Sequence, residues 1–398
     1  MLRHANRPSL IFILAGLAMI GPFSIDTYLP AFPEIGAELG ADREAVQETL
    51  SLYMLTFGLM TLWHGALSDS FGRKRVVLFG LFAYALASVG CAFSTSIEML
   101  WTMRAAQGVF AGAGMVVSRA IVRDLYEGPS AQRVMANIAV MFAIAPAIAP
   151  IIGGWVLYFS NWRNIFFFIA ALAAILFVAC WRYLPESLPL EKRQPFAVKP
   201  LFRNYRKVFS SASFVQLSFC ISACFGGYFL YVLSAPVFIR EHLGLGETEF
   251  YWLFVPGMFG MMSGSWISGR IAGRWSNQRT LKLAFALMGV AALGNCLISE
   301  FWQDSIWLTI SPFFVYNIGV AVAMPNVTLC ALDLFPNNRG MAASCQSCIQ
   351  TVSGVFVSSF LAPFLWHSRV GLAFGMLGLC ALGGCLVWVW FCVSRKRD

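Results

Sequence analysis

The chain has 398 residues, 59% of them hydrophobic and only 12% charged, with a mean hydropathy of +0.70 and a net charge of +9. A soluble chain of this length divides its apolar residues among several cores, each wrapped in a charged surface; there are too few charges here for that, so a water-soluble fold is excluded. The cations are scattered over short segments, which also argues against a nucleic-acid partner.

Apolar stretches of about 20 residues, the length a helix needs to cross a bilayer, recur along the whole chain. In order they cover residues 10–29, 46–66, 76–94, 99–118, 134–159 and 165–183, then 214–239, 251–271, 281–299, 306–329, 341–365 and 372–393. Arg3 and Arg7 give the first stretch the look of a signal peptide. No A-x-A site follows it, and the run continues through Ser24, Ile25, Asp26, Thr27, Tyr28, Leu29 and Pro30, so it reads as a retained span. The expected fold is an all-α membrane protein with twelve transmembrane helices.

Basic residues orient these spans. With the amino terminus in the cytoplasm, 23 of the 28 Lys and Arg fall on that side, including Arg73, Lys74 and Arg75, then Arg119, Arg123 and Arg133, and finally Arg395, Lys396 and Arg397. Only Arg43, Arg163, Arg240 and Arg369 fall outside, and Arg104 lies within a span. This bias predicts two cytoplasmic termini. The longest connection, about 185–212, carries Pro185, Pro189, Pro195 and Pro200 together with Lys192, Arg193, Lys199, Arg203, Arg206 and Lys207. It reads as a basic linker against the inner leaflet. It separates a six-helix bundle at 1–184 from a second at 213–398, the plan of transporters built from two similar halves.

The eleven cysteines lie mostly within spans, where they act as small hydrophobes. Cys345 and Cys348 form a single C-x-x-C in apolar helical surroundings, which reads as packing. No metal site or cofactor is expected.

Ionisable groups at membrane depth are costly and mark pathways or buried pairs. If the first span enters hydrocarbon near Ile11, Asp26 lies roughly 8 Å from the outer edge; if the fourth begins near Met99, Arg104 lies at a similar depth. The two are expected to neutralise each other and to form a proton-coupling site, since a buried carboxyl beside a guanidinium responds to any charge entering the cavity. The plainer alternative is an Asp26 in the wet interface and an Arg104 that snorkels. Glu48, near the outer start of the second span, is a weaker second acid. Gln107, one turn from Arg104, could bond to it or to a substrate. Tyr28, Tyr53, Phe225, Tyr228, Tyr231, Trp252, Tyr316 and Asn317 could line an aromatic, sparsely polar pocket, or could face lipid. Gly260 and Gly264 form a G-x-x-x-G close-packing device. No acid lies in the core of spans seven to twelve, so coupling is expected in the amino-terminal half.

The loop Gly65-Ala66-Leu67-Ser68-Asp69-Ser70-Phe71-Gly72-Arg73-Lys74-Arg75 resembles the G-x-L-(S/A)-D-R-x-G-R-R/K signature of the major facilitator superfamily. Leu100 through Arg104, Gln107 and Gly108 are similar to its fourth-span L-x-x-x-R-x-x-Q-G pattern. Ala145, Pro146, Ala149, Pro150, Gly153 and Gly154 resemble the fifth-span antiporter motif. The Ser24–Pro30 run and the A-P-x-x-A-P-x-x-G-G form resemble the bicyclomycin-resistance (Bcr/CflA) branch of drug:proton antiporters. The resemblance implies export of hydrophobic, drug-like molecules in exchange for protons by alternating access, from a bacterial inner membrane and by a monomer. It gives Asp26 and Arg104 to proton coupling, and Gly65, Asp69, Gly72 and Arg73 to a cytoplasmic latch; the freedom of glycine suits Gly65 and Gly72 to a tight turn there. Pro146, Pro150, Gly153 and Gly154 fall to a kinked helix at a moving interface. Ser70 stands where the signature has arginine, which removes one member of a charge relay. Ala66 replaces a frequent proline, and Ala145 and Ala149 replace glycines of the general pattern.

An uptake symporter of the same fold could use the same acid without the paired prolines and glycines. A membrane-embedded enzyme or sensor needs clustered catalytic groups, whereas His4, His64, His242 and His367 are spread over different levels. With no Gly-rich phosphate loop, energy is expected from an ion gradient.

Overall fold

A computed structural model describes residues 8–302 and 305–394; His4 and the orienting cations Arg3, Arg7, Arg395, Lys396 and Arg397 lie outside them. Among the described residues there is no strand. The chain divides into two compact units, Met1–Val198 and Lys199–Asp398, a boundary inside the segment read as a linker.

The amino-terminal unit contains α1 (Pro8–Asp26), α2 (Phe32–Leu39), α3 (Arg43–Phe71), α4 (Arg73–Ala92), α5 (Ile97–Leu125), α6 (Gly128–Phe159) and α7 (Trp162–Tyr183). The first α-helix ends three residues before the expected end of its span, although the apolar run continues to Leu39. Helix α1 stops at Asp26 and the chain passes through a 3-10 turn, Leu29–Ala31, before α2. Pro30 supplies no amide proton and disfavours a helical residue before it, which accounts for the break. Asp42 caps α3 by accepting from the Ala45 amide at 2.8 Å, and Ser96 caps α5 from Met99 at 3.3 Å. At the α2 end of the unit, Glu38 accepts from the Trp162 indole at 2.6 Å and pairs with Arg163, tying α2 to α7. Arg163, read as a topology marker, is therefore also a structural tie.

The second unit contains α8 (Val198–Phe209), α9 (Ala212–Leu233), α10 (Ala235–Val237), α11 (Tyr251–Ile271), α12 (Asn277–Phe301), α13 (Ile306–Asp333), α14 (Arg339–Phe356), α15 (Ala362–Leu365) and α16 (Arg369–Ser394). Wide π turns at Phe238–His242 and Val357–Leu361 follow α10 and α14. Ser211, Ser276 and Ser305 cap α9, α12 and α13 through the amide three residues on. Gly260 and Gly264 bring α11 onto the α13 backbone: a methyl on Gly264 would lie 2.5 Å from the Ile318 carbonyl oxygen.

Twelve long helices thus fill the described chain, six in each unit. Eleven are long and apolar enough to cross a membrane. The twelfth, α11, is long enough but less apolar, because Gly, Ser and Trp residues and Arg270 dilute its aliphatic content. The linker is not plain coil: α8 is an amphipathic helix that the prolines on its amino-terminal side hide from a sequence reading.

Candidate functional site

Arg104 is fully buried among helices of the amino-terminal unit. Its guanidinium carbon lies 4.4 Å from the Tyr53 ring centre, 4.6 Å from Tyr28 and 5.8 Å from Phe166, so rings from α3, the α1–α2 turn and α7 surround it. Such desolvated cation–π contacts are worth up to about 2 kcal/mol each. Nη1 donates to Gln107 Oε1 at 2.5 Å and Nη2 to the Ser24 carbonyl at 3.4 Å, while Nε has no partner. The surrounding polar groups are fixed in turn. Gln107 donates to Ser88 at 2.8 Å, Tyr53 to the Gly21 carbonyl at 3.0 Å, Tyr28 is paired with Thr49, and Ser24 with Tyr84. Arg104 therefore does not snorkel.

Asp26 is also buried, at 4% exposure, but it does not meet Arg104. Among the described residues its carboxyl takes part in no hydrogen bond or ion pair. The expected neutralising pair is corrected by helix phase. Ser24, which faces Arg104 and Tyr84, lies two residues and about 200° away from Asp26 around α1. The guanidinium is held by an amide, a carbonyl and ring faces, and among the described residues it forms no ion pair. Glu48 is half-buried on α3.

The antiporter-like motif lies against this part of α1. Ala145 and Ala149 of α6 pack on Phe23, and the methyls that distinguish them from glycine fill that contact. Gly153 approaches Thr27 so closely that an added methyl would overlap its carbonyl oxygen. Helix α6 continues through Pro146 and Pro150, each of which removes one backbone donor, and Gly154 is buried beside Gly153. The side chains at 145–154 thus border the α1 end that carries Asp26.

At the other end of the unit, the loop between α3 and α4 is locked. Gly72 has φ +97°, as its place in the turn demands. Arg73 pairs with Asp69 at 2.5 Å and Asp124 at 3.1 Å, and donates to Ser68 at 2.6 Å. Its amide donates to Glu186 at 2.9 Å; Glu186 in turn pairs with Arg193 at 3.4 Å. Ser187 donates to Asp124 at 2.8 Å, and the Gln194 amide to the Asp69 carbonyl at 3.2 Å. Sequence reading missed Asp124, Glu186, Ser187 and Arg193 as members of this cluster. An acid at the end of span four and another directly after Pro185 were the available signals. Gly65 is not a turn residue; it lies inside α3, and its expected role in turning the chain is corrected.

Of the aromatic set expected to line a pocket, Tyr228, Tyr231 and Tyr316 are buried among the helices of the second unit, and Phe225 and Trp252 are half-buried. Tyr316 is fully buried over Gly227 and donates to the Cys224 carbonyl at 3.0 Å. Tyr231 is 1% exposed, accepts from Asn295 at 2.7 Å and meets Phe238 edge to face and Phe313 at a tilt. Tyr228 lies over Gly257 and donates to the Leu253 carbonyl at 3.4 Å. Glycines seat Tyr228 and Tyr316 in helix crossings. Asn317 is fully buried, donating to Phe313 at 2.9 Å with its Oδ1 unpartnered. Tyr28 and Gln107, placed with the substrate wall, belong to the Arg104 cluster.

The sequence profile of the Major Facilitator Superfamily matches residues 14–358. The chain is 31% identical over 355 residues to the uncharacterized MFS-type transporter YdgK of Bacillus subtilis, covering 89% of this chain and 88% of that protein. It is 28% identical over 402 residues to a bicyclomycin resistance protein homolog of Haemophilus influenzae, covering 99% and 98%. Among solved structures, the human organic anion transporter MFSD10 (TETRAN) superposes with a TM-score of 0.73 at 17% identity, over 97% of this chain and 100% of that one, a likeness of fold.

Proposed function

The chain belongs to the major facilitator superfamily of membrane transporters, and we propose that this member exports small drug-like molecules across the bacterial inner membrane in exchange for protons. It works as a monomer with both termini in the cytoplasm. The Haemophilus relative named for bicyclomycin resistance, matched over almost its whole length, supports the cargo class. Proton exchange rests on one observation above the others: a buried carboxyl without a partner, Asp26, on the α1 segment that also faces the Pro146–Gly154 run.

The chemistry follows from charge. Arg104 contributes a guanidinium to this half-bundle. Asp26 is the group nearby on α1 whose charge can change, and adding or removing it changes the electrostatic energy of the half-bundle by several kcal/mol. A proton on Asp26 and a cargo molecule in the cavity then stabilise opposite states of alternating access. Each pH unit of gradient supplies about 1.4 kcal/mol and each 100 mV about 2.3 kcal/mol per charge, which is enough to move a solute uphill. Gly153 against Thr27 gives α6 a close, small-residue contact on which α1 and α6 can shift.

The test uses everted membrane vesicles carrying a pH-sensitive dye and bicyclomycin as the first probe. Antiport predicts that adding the drug releases protons from the acidified interior. Proton entry together with the drug indicates the symporter alternative, and no pH response with transport intact removes proton coupling.

A further inference from the structure

Helix α8 combines features that neither its linker role nor transport requires. At 100° per residue, Val198, Leu201, Phe202, Tyr205, Val208 and Phe209 fall within an arc of about 120°. Lys199, Arg203, Arg206 and Lys207 fall within about 100° on the adjoining face. The apolar arc is itself divided. Tyr205 and Val208 are buried, whereas Phe202 and Phe209, on the edge next to the cations, are 57% and 37% exposed. All four cations are exposed, and among the described residues none of them takes part in an ion pair. No acid occurs anywhere between Lys192 and Arg240 to neutralise them.

Connectivity fixes the level of the helix. Only Ser210 and Ser211 separate it from α9, an apolar span, so its end lies within about 11 Å of the end of that span. A short helix at that level, with exposed aromatic rings beside unpaired cations, has the composition of a segment lying in the headgroup region.

We propose that the exposed face of α8 is a binding surface for anionic phospholipid. Lys199, Arg203, Arg206 and Lys207 receive headgroup phosphates, and Phe202 and Phe209 enter the boundary between headgroups and acyl chains. The surface is independent of which solute is carried and in which direction. It selects for net negative charge on the lipid, because zwitterionic headgroups offer a phosphate but also a cation that Lys and Arg repel. Each cation near an anionic leaflet contributes about fivefold in affinity before screening.

The experiment is native mass spectrometry of the full-length protein in mixed micelles of phosphatidylglycerol and phosphatidylcholine with identical acyl chains. The wild type is expected to retain phosphatidylglycerol preferentially. K199Q/R203Q/R206Q/K207Q should reduce the ratio of anionic to zwitterionic adducts by about tenfold or more. K199R/R203K/R206K/K207R keeps the charge on the same face and should change the ratio by less than about twofold. F202S/F209S should lower retention of both lipids while leaving the preference in place, and thermal unfolding checks that each variant is folded. Equal losses in the two quadruple variants, no preference in the wild type, or displacement of the lipid by millimolar inorganic phosphate would each overturn the proposal. So would retention of an acidic soluble protein instead of lipid.

Discussion

Two glycines of one loop signature should respond oppositely to the same substitution. Gly72 sits at φ +97° and ψ 146°, a region almost closed to other residues, and an added methyl would lie 2.5 Å from Glu186 Oε2 and 2.6 Å from Arg193 Nη2. Gly72→Ala therefore costs about 1–3 kcal/mol in the backbone. Displacing the Glu186 carboxylate also sacrifices its charged hydrogen bond to the Arg73 amide, worth roughly 1.5–3 kcal/mol. The half-exposed Glu186–Arg193 pair adds little. After partial relaxation about 3 kcal/mol of local stability is lost, which raises the open population of residues 185–194 roughly a hundredfold. Trypsin cutting after Lys192 or Arg193 in the native protein reads that population, so the cleavage rate should rise by a similar factor. Gly65→Ala is the control. Its nearest atom, Val116 Cγ1, is 4.0 Å away and the site is helical, so alanine should be neutral or stabilise by up to about 1 kcal/mol. Unchanged cleavage in Gly72→Ala, or equal damage from both substitutions, would refute the reasoning.

Arg104→Met should abolish transport without lowering the unfolding temperature, because a buried charge without a counter-ion is replaced by an apolar side chain of similar length; a thermal-shift series in detergent checks it. Gly153→Val should insert into the membrane normally yet lose export, since the added carbons overlap the Thr27 carbonyl and cost about 1–3 kcal/mol of overpacking. Abundance in the membrane fraction measured beside drug resistance separates the two effects. Tyr316→Phe should cost about 1 kcal/mol of stability through the lost bond to Cys224 and leave the apparent affinity for cargo unchanged, as expected of a tie within the second unit. A large change in that affinity would return Tyr316 to the substrate wall.

The spans were legible because lipid imposes one length and one composition on every crossing helix. Arg104 was legible for the same reason, as the one arginine more than a residue or two from the end of its span. Its partners were not. With 36 Phe, 13 Trp and 11 Tyr in the chain, nothing in composition distinguishes Tyr53 and Phe166, which hold the guanidinium, from rings that face lipid. Depth alone suggested an Asp26–Arg104 pair, but depth says nothing of azimuth, and no ion pair joins the two among the described residues. Charges at span ends serve as orientation signals, which concealed the tertiary ties of Asp124, Glu186 and Arg163. Helix α8 was hidden because Pro195 and Pro200 suggest coil, although proline is tolerated in the first turn of a helix. A motif records which positions carry glycine but not why, so Gly65 and Gly72 looked alike until one proved helical and the other a turn.

Proton coupling through Asp26 is tested most directly by Asp26→Asn in proteoliposomes, with two assays on one preparation. Counterflow, in which labelled cargo exchanges with unlabelled cargo and no gradient is applied, should persist. Uptake driven by an imposed pH gradient should fall to the level of empty vesicles. If gradient-driven uptake survives the substitution at the wild-type rate, the proton is carried elsewhere and the role given to Asp26 is wrong.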